Sequence, residues 1–145
     1  MVKEKEDKLF GVEVVYNVNE NKRTVACYFK CPHYKRQEDV WAGILNEMYN
    51  SLHVPFAMGY FEASYATVRE YPKKFGLAKC SIDDVFDVEE GKRIAKKQLR
   101  DRINRCKLNF LDRVNITCNR MLTSFFNRDD KLYTKLIKST TNYEE

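Results

Sequence analysis

From Ala95 onward, apolar or small residues recur at Leu99, Ile103, Cys106, Phe110, Val114, Thr117, Met121 and Phe125, and neither proline nor glycine interrupts them. Steps of three and four residues are the period of an α-helix with one buried stripe, so this stretch predicts one long helix, or two nearly in line. Its length, about 35 residues, exceeds the usual globular helix, which leads to the expectation that the distal half packs on a second copy of the chain. Ser81, with Asp84 three residues on, has capping-box spacing with Asp where Glu or Gln is usual, and Asp87 is the alternative N-cap. The helix should therefore start between Ser81 and Asp87. The segment DDKLYTKLIKS, with Leu132, Leu136 and Ile137 on one side, reads as a short final helix, and residues 1–8 and 140–145 are expected to fray.

Upstream the period changes to two. Leu9 to Asn17 places Phe10, Val12, Val14 and Tyr16 on one face, and Arg23 to Cys31 repeats the pattern with Val25, Cys27 and Phe29 around the polar turn VNENK, which predicts a β-hairpin. QEDVWAGILNEMYNSLH carries Val40, Ile44, Leu45, Met48 and Leu52 at helical spacing, with Glu38 and Asp39 in its first turn, and its stripe is expected to pack on the sheet. Val54 to Gly59 reads as a loop. YFEASYATVREY and KKFGLAKC then read as two more strands joined around Tyr71-Pro72. The predicted fold is α+β: a four-stranded antiparallel sheet of two hairpins with a helix between them, followed by the long C-terminal helical segment. At 145 residues, a single domain spanning 1–145 is expected.

Membrane insertion and secretion are not expected, because no apolar run approaches the roughly 18 residues a span requires and MVKEKEDK lacks a signal-peptide core. Five cysteines without a C-x-x-C pair fit reduced thiols and a cytoplasmic protein. No nucleophile elbow, zinc-protease helix or phosphate-binding loop motif is present, so enzyme activity is not expected, and no cofactor is implied. Cys27, Cys31 and His33 are residue types that bind zinc, but with no second ligand pair they read as structural residues, and no metal is assigned.

The net charge of +5 is concentrated. Asp83, Asp84, Asp87, Glu89 and Glu90 come first, suited to the partial positive charge of a helix start; Lys92, Arg93, Lys96, Lys97, Arg100, Arg102, Arg105 and Lys107 follow, opposed only by Asp101. Such density suits phosphates, which arginine binds bidentately, although a solvated cationic face is the alternative. Tyr60, Phe61, Tyr65, Tyr71 and Phe75 crowd the second predicted hairpin, and Tyr28 and Tyr34 lie on or just beyond the first. Rings on the polar strand face could stack on a base.

Ala78 to Ala95, AKCSIDDVFDVEEGKRIA, resembles a pattern of small proteins from phages and prophages of Gram-positive bacteria, A-x-C, then D-D-x-F-D, then G-x-x-I-A. The matching residues are Ala78, Cys80, Asp83, Asp84, Phe86, Asp87, Gly91, Ile94 and Ala95; Ile82 stands where the commoner form has proline. This pattern is similar to that of the phage Thoeris anti-defence sponges. The resemblance implies a non-catalytic oligomer that sequesters a cyclic ADP-ribose signal made by a bacterial TIR-domain protein, or a cyclic oligonucleotide made by a CBASS enzyme. It also implies pockets between protomers in which arginines meet phosphates and an aromatic ring meets a base.

The site expected on charge and position comprises Arg93, Arg100, Arg102 and Arg105, with Arg23 as a candidate contribution from another subunit and Tyr65, Tyr71 and Phe75 as stacking residues. The expected partners are a cyclic nucleotide signal and further copies of the chain, in the cytoplasm of an infected bacterial cell. The alternative is a nucleic-acid-binding phage protein or CRISPR inhibitor that acts through the basic helix by counterion release.

Overall fold

The structure, a computed structural model, describes residues 7–51 and 60–141. Its strands are β1 (Lys8–Leu9), β2 (Val12–Asn19), β3 (Thr24–Phe29) and β4 (Gly76–Lys79), and its helices α1 (Gln37–Ser51), α2 (Tyr60–Arg69) and α3 (Val88–Thr141). The strands form one antiparallel sheet in the order β1-β2-β3-β4. The expected α+β class with a four-stranded antiparallel sheet and a long C-terminal helix is therefore present, but one strand lies elsewhere.

Tyr60 to Tyr71 is not a strand: α2 occupies Tyr60–Arg69. Ser64, Thr67 and Val68 are buried on it, at helical spacing, and the Thr67 hydroxyl donates to the Ala63 carbonyl at 2.8 Å. Packing of this face against α1 overrides the strand preference of its Tyr, Thr and Val residues. The fourth strand is instead the two-residue β1, made by breaking the predicted Leu9–Asn17 strand. Leu9 pairs with Val12 across Phe10 and Gly11, both at positive φ (52° and 77°), which is the two-residue hairpin turn with left-handed central residues. Phe10 thus leaves the strand face, and Lys107 Nζ lies 3.7 Å from its ring centroid.

The β2–β3 hairpin follows the predicted alternation. Val14 pairs with Phe29, Tyr16 with Cys27 and Val18 with Val25 on the face toward α3, while Val15 pairs with Tyr28 and Asn17 with Ala26 on the other. In α1 the buried face is Trp41, Ala42, Ile44, Leu45 and Tyr49, which shifts the predicted stripe away from Val40 and Met48. That face packs mostly on α2 rather than on the sheet, and Tyr49 reaches Phe110 of α3 edge to face at 6.3 Å. Leu52 and the predicted loop Val54–Gly59 lie outside the described residues, as do the side chains of Tyr60, Phe61 and Phe125.

The helix start is capped by Asp87, whose Oδ1 accepts from the amides of Glu89 (3.0 Å) and Glu90 (3.3 Å). Ser81 instead closes a turn before it, accepting the amide of Asp84 at 3.2 Å. Along α3, Ala95, Leu99, Ile103, Cys106, Phe110 and Val114 are buried, as their spacing predicts. Gly76 and Gly91 permit the close approach of sheet and helix, since a Cβ on Gly76 would overlap the Ala95 carbonyl and one on Gly91 would lie 2.7 Å from Val25 Cγ2.

The chain divides into two units, Met1–Phe110 and Leu111–Glu145. The second contains the remainder of α3, continuous through the predicted final helix, and leaves Ile116, Met121, Leu122, Leu132, Leu136 and Ile137 exposed. No helix among the described residues is long and apolar enough to cross a membrane.

A small polar network ties the N-terminal residues to α3. Asp7 accepts from the Tyr16 hydroxyl and from Lys96, while Lys92 lies 5.4 Å from the Tyr16 ring centroid. Burial raises the Asp7 carboxyl pKa, but the hydrogen bonds from Lys96 and Tyr16 outweigh it and hold the group below its ordinary 3.8. Burial and the bond to Asp7 push the Tyr16 phenol up, and burial pushes the Cys27 thiol to about 11. A carboxyl depressed in the folded state stabilises it above the unfolded pKa and loses that contribution as pH falls through the folded value. Asp7→Asn should therefore melt below the native chain at neutral pH, and the two melting curves should converge as the pH falls through the folded value of Asp7; a constant gap from neutral to acid pH would show that Asp7 does not act through its charge.

Candidate functional site

The outer face of the sheet carries Val15, Asn17, Ala26, Tyr28 and Leu77, and α3 packs on the inner one. At one end of the outer face the chain leaves β3 and turns into α1. Gln37 fixes that turn: its side-chain oxygen accepts the Phe29 amide at 3.1 Å, and its nitrogen donates to the Phe29 carbonyl at 2.6 Å and to Cys31 Sγ at 3.2 Å. Asp39 accepts the Arg36 amide at 2.9 Å, a bond that, together with the nearby cations, keeps its carboxyl below the usual range despite desolvation. The first turn of α1 therefore lies beside Tyr28.

The opposite wall comes from Pro72 to Phe75, the segment leading into β4. Between the walls is an open groove of about 620 Å³ lined by Asn17, Tyr28, Arg36, Gln37, Lys74 and Phe75, among others. Arg36 is exposed, Tyr28 and Phe75 are half-buried, and Lys74 Nζ donates to the Tyr71 carbonyl at 2.9 Å. Glu38, also on the rim, is paired with Arg69 at 3.2 Å. The groove thus combines two rings and two cations, which suits a ligand with both aromatic and anionic parts. Its volume falls within the range of about 300–1,000 Å³ of small-molecule sites.

Of the residues predicted to form a site, Phe75 lines this groove and Arg102 stands behind it. Arg102 donates to the Phe75 carbonyl, and its guanidinium carbon lies 5.8 Å from the Phe75 ring centroid. Together with Gln98, which accepts the Leu77 amide, it occupies hydrogen-bonding groups of the β4 edge. The other predicted residues do not converge there. Arg93 is paired with Glu90 through bonds of 2.9 and 2.6 Å, and Arg100 and Arg105 are exposed on α3. Tyr65 donates to Asp39 at 3.1 Å, and Tyr71 lies 6.3 Å from Trp41 while accepting from Asn109.

Arg23 sits at positive φ (55°), donates to the Asp84 carbonyl and, at 3.5 Å, to Cys80 Sγ, and its own carbonyl accepts the Cys80 amide at 2.8 Å. It shapes the turn before α3. Arg36 and Lys74 are the groove residues that sequence reasoning missed. The available signal was cations beside aromatics in two loops, Tyr34-Lys35-Arg36 and Tyr71-Pro72-Lys73-Lys74-Phe75, set against the denser but scattered cations of α3. No family model matches the chain, and neither a curated protein nor a solved structure does.

Proposed function

We propose that the chain is a phage-encoded, non-enzymatic anti-defence protein that binds and sequesters a cyclic nucleotide immune signal, a cyclic ADP-ribose isomer or a cyclic oligonucleotide, in the cytoplasm of the infected bacterium. The observation that carries this reading is the groove in which Tyr28 and Phe75 stand beside Arg36, Lys74 and the start of α1. A base would lie against the rings while the phosphates meet the cations. The resemblance of Ala78 to Ala95 to the anti-defence sponges supports sequestration and a homo-oligomeric protein.

Thermal unfolding in the presence of cyclic ADP-ribose isomers and cyclic oligonucleotides tests this. Ligand at a hundred times its dissociation constant adds about 2.7 kcal/mol to the folded state, a rise in Tm on the order of 5–10 °C for a chain of this size. No shift with any member of the panel removes the reading. The second reading, a nucleic-acid-binding phage protein or CRISPR inhibitor, is favoured by the exposure of Arg93, Lys97, Arg100 and Arg105 on α3. It predicts binding to arbitrary oligonucleotides that weakens steeply with salt, and no dependence on Tyr28 or Phe75.

A further inference from the structure

Stacking holds a base without identifying it, because every base has a π-face, so the rings of the groove leave its choice of base open. The register of the sheet places a group that can read a base edge. Asn17 pairs with Ala26 and Val15 with Tyr28, all four on the outer face, and Ala26 is flanked on its other side by Leu77. Ala26 carries only a methyl group, so the groove floor dips between Asn17, Leu77 and the Tyr28 ring one step along the strand. Asn17 and Tyr28 are diagonal neighbours, about 7–8 Å apart, which leaves room for a base on the ring with its edge at the amide. Of the polar side chains in the lining, Gln37 is bonded to Phe29 and Cys31, Glu38 to Arg69, and Lys74 to the Tyr71 carbonyl. The Asn17 side chain is exposed and has no hydrogen bond among the described residues.

We infer that Asn17 reads the base of the captured nucleotide and selects adenine, an assignment that rests on the nucleotide reading of the groove. A carboxamide sets an acceptor and a donor side by side, and adenine answers with its 6-amino group and N7. Oδ1 of Asn17 accepts from the amino group while Nδ2 donates to N7. Guanine and hypoxanthine carry a carbonyl in place of the amino group, so both groups on that edge are acceptors and the Asn17 oxygen faces one of them. An edge of that kind suits a guanidinium instead. Arg36 is the guanidinium of this groove, and in the nucleotide reading it holds phosphate.

Calorimetric titration of the full native chain and of Asn17→Ala with cyclic ADP-ribose isomers and cyclic di-AMP, each beside its hypoxanthine counterpart, tests the assignment. The native chain should bind the adenine member of a pair roughly tenfold more tightly. Asn17→Ala should lose that preference, its affinity for the adenine compound falling to that for the hypoxanthine one. Its melting without ligand should stay native, since the exposed side chain has no hydrogen bond to lose among the described residues. Equal native affinities within every bound pair, or a preference that Asn17→Ala keeps, would overturn the assignment and leave the nucleotide reading standing. Tighter binding of the hypoxanthine compound would also overturn it, and would transfer the base edge to Arg36. Binding of no member of any pair would remove the nucleotide reading and this assignment together.

Discussion

Gly76→Ala should cost about 4 kcal/mol or more and abolish the cooperative thermal transition at 37 °C, the largest effect expected of any single methyl group in this chain. The added Cβ would overlap the carbonyl oxygen of Ala95 and come within 2.8 Å of the Leu99 amide nitrogen, and both are backbone atoms of α3. No rotamer change relieves such a contact. Either β4 or α3 must move, and Gln98, which accepts the Leu77 amide of β4, and Arg102, which donates to the Phe75 carbonyl just before it, tie the two together. Gly91→Ala is the useful comparison, because its Cβ would meet Val25 Cγ2 at 2.7 Å, a buried side-chain methyl that can shift slightly, at a cost of about 1–3 kcal/mol. Denaturant melts of the two variants measure the difference. Equal and small losses would show that β4 does not rest on α3 at Gly76.

The second large effect concerns ligand capture. Tyr28→Ala combined with Phe75→Ala should lower affinity for the nucleotide by about a hundredfold or more, since each base–aromatic stack contributes about 1–3 kcal/mol. Both rings are half-buried at the groove, so melting of the ligand-free protein should change much less than binding does. Arg105→Ala, on an exposed position of α3 away from the lining of the groove, should leave affinity unchanged. Calorimetric titration of the three proteins separates the readings: a loss confined to Arg105→Ala would transfer the site to the basic helix and sink the groove.

Much of the core could be read from the sequence because its period is simple. The buried residues of α3 from Ala95 to Val114 follow the predicted stripe, and Val25, Cys27 and Phe29 follow the predicted alternation. The errors arose where two patterns fit the same residues. In Tyr60–Arg69, aromatic and β-branched residues satisfy a strand, yet Ser64, Thr67 and Val68 also lie along one helical face, and the small side chains let that face pack on α1. At Phe10-Gly11 an alternating run conceals a turn, because a left-handed phenylalanine is costly unless its ring is held, as Lys107 holds it here.

The candidate site was legible in kind and less so in place. Aromatics and arginines were expected together, and Phe75 and Arg102 do meet. The dense cations of α3 drew attention from Arg36 and Lys74, although charge density along a helix is not convergence. Arg102 is used on the edge of β4 and Arg93 on Glu90, so part of the basic segment already has intramolecular partners. What brings Arg36 to Lys74 is the return of β4 beside β3 after two helices, a tertiary pairing that no local spacing encodes.

The most direct measurement is to saturate the protein with the cyclic nucleotide that raises its Tm most, remove the excess, denature it and weigh what is released. Capture without chemistry predicts the intact ligand, in stoichiometric amount from the native protein and strongly reduced from the Tyr28→Ala, Phe75→Ala variant. Release of a cleaved product, or equal retention by the variant, would contradict sequestration at this groove.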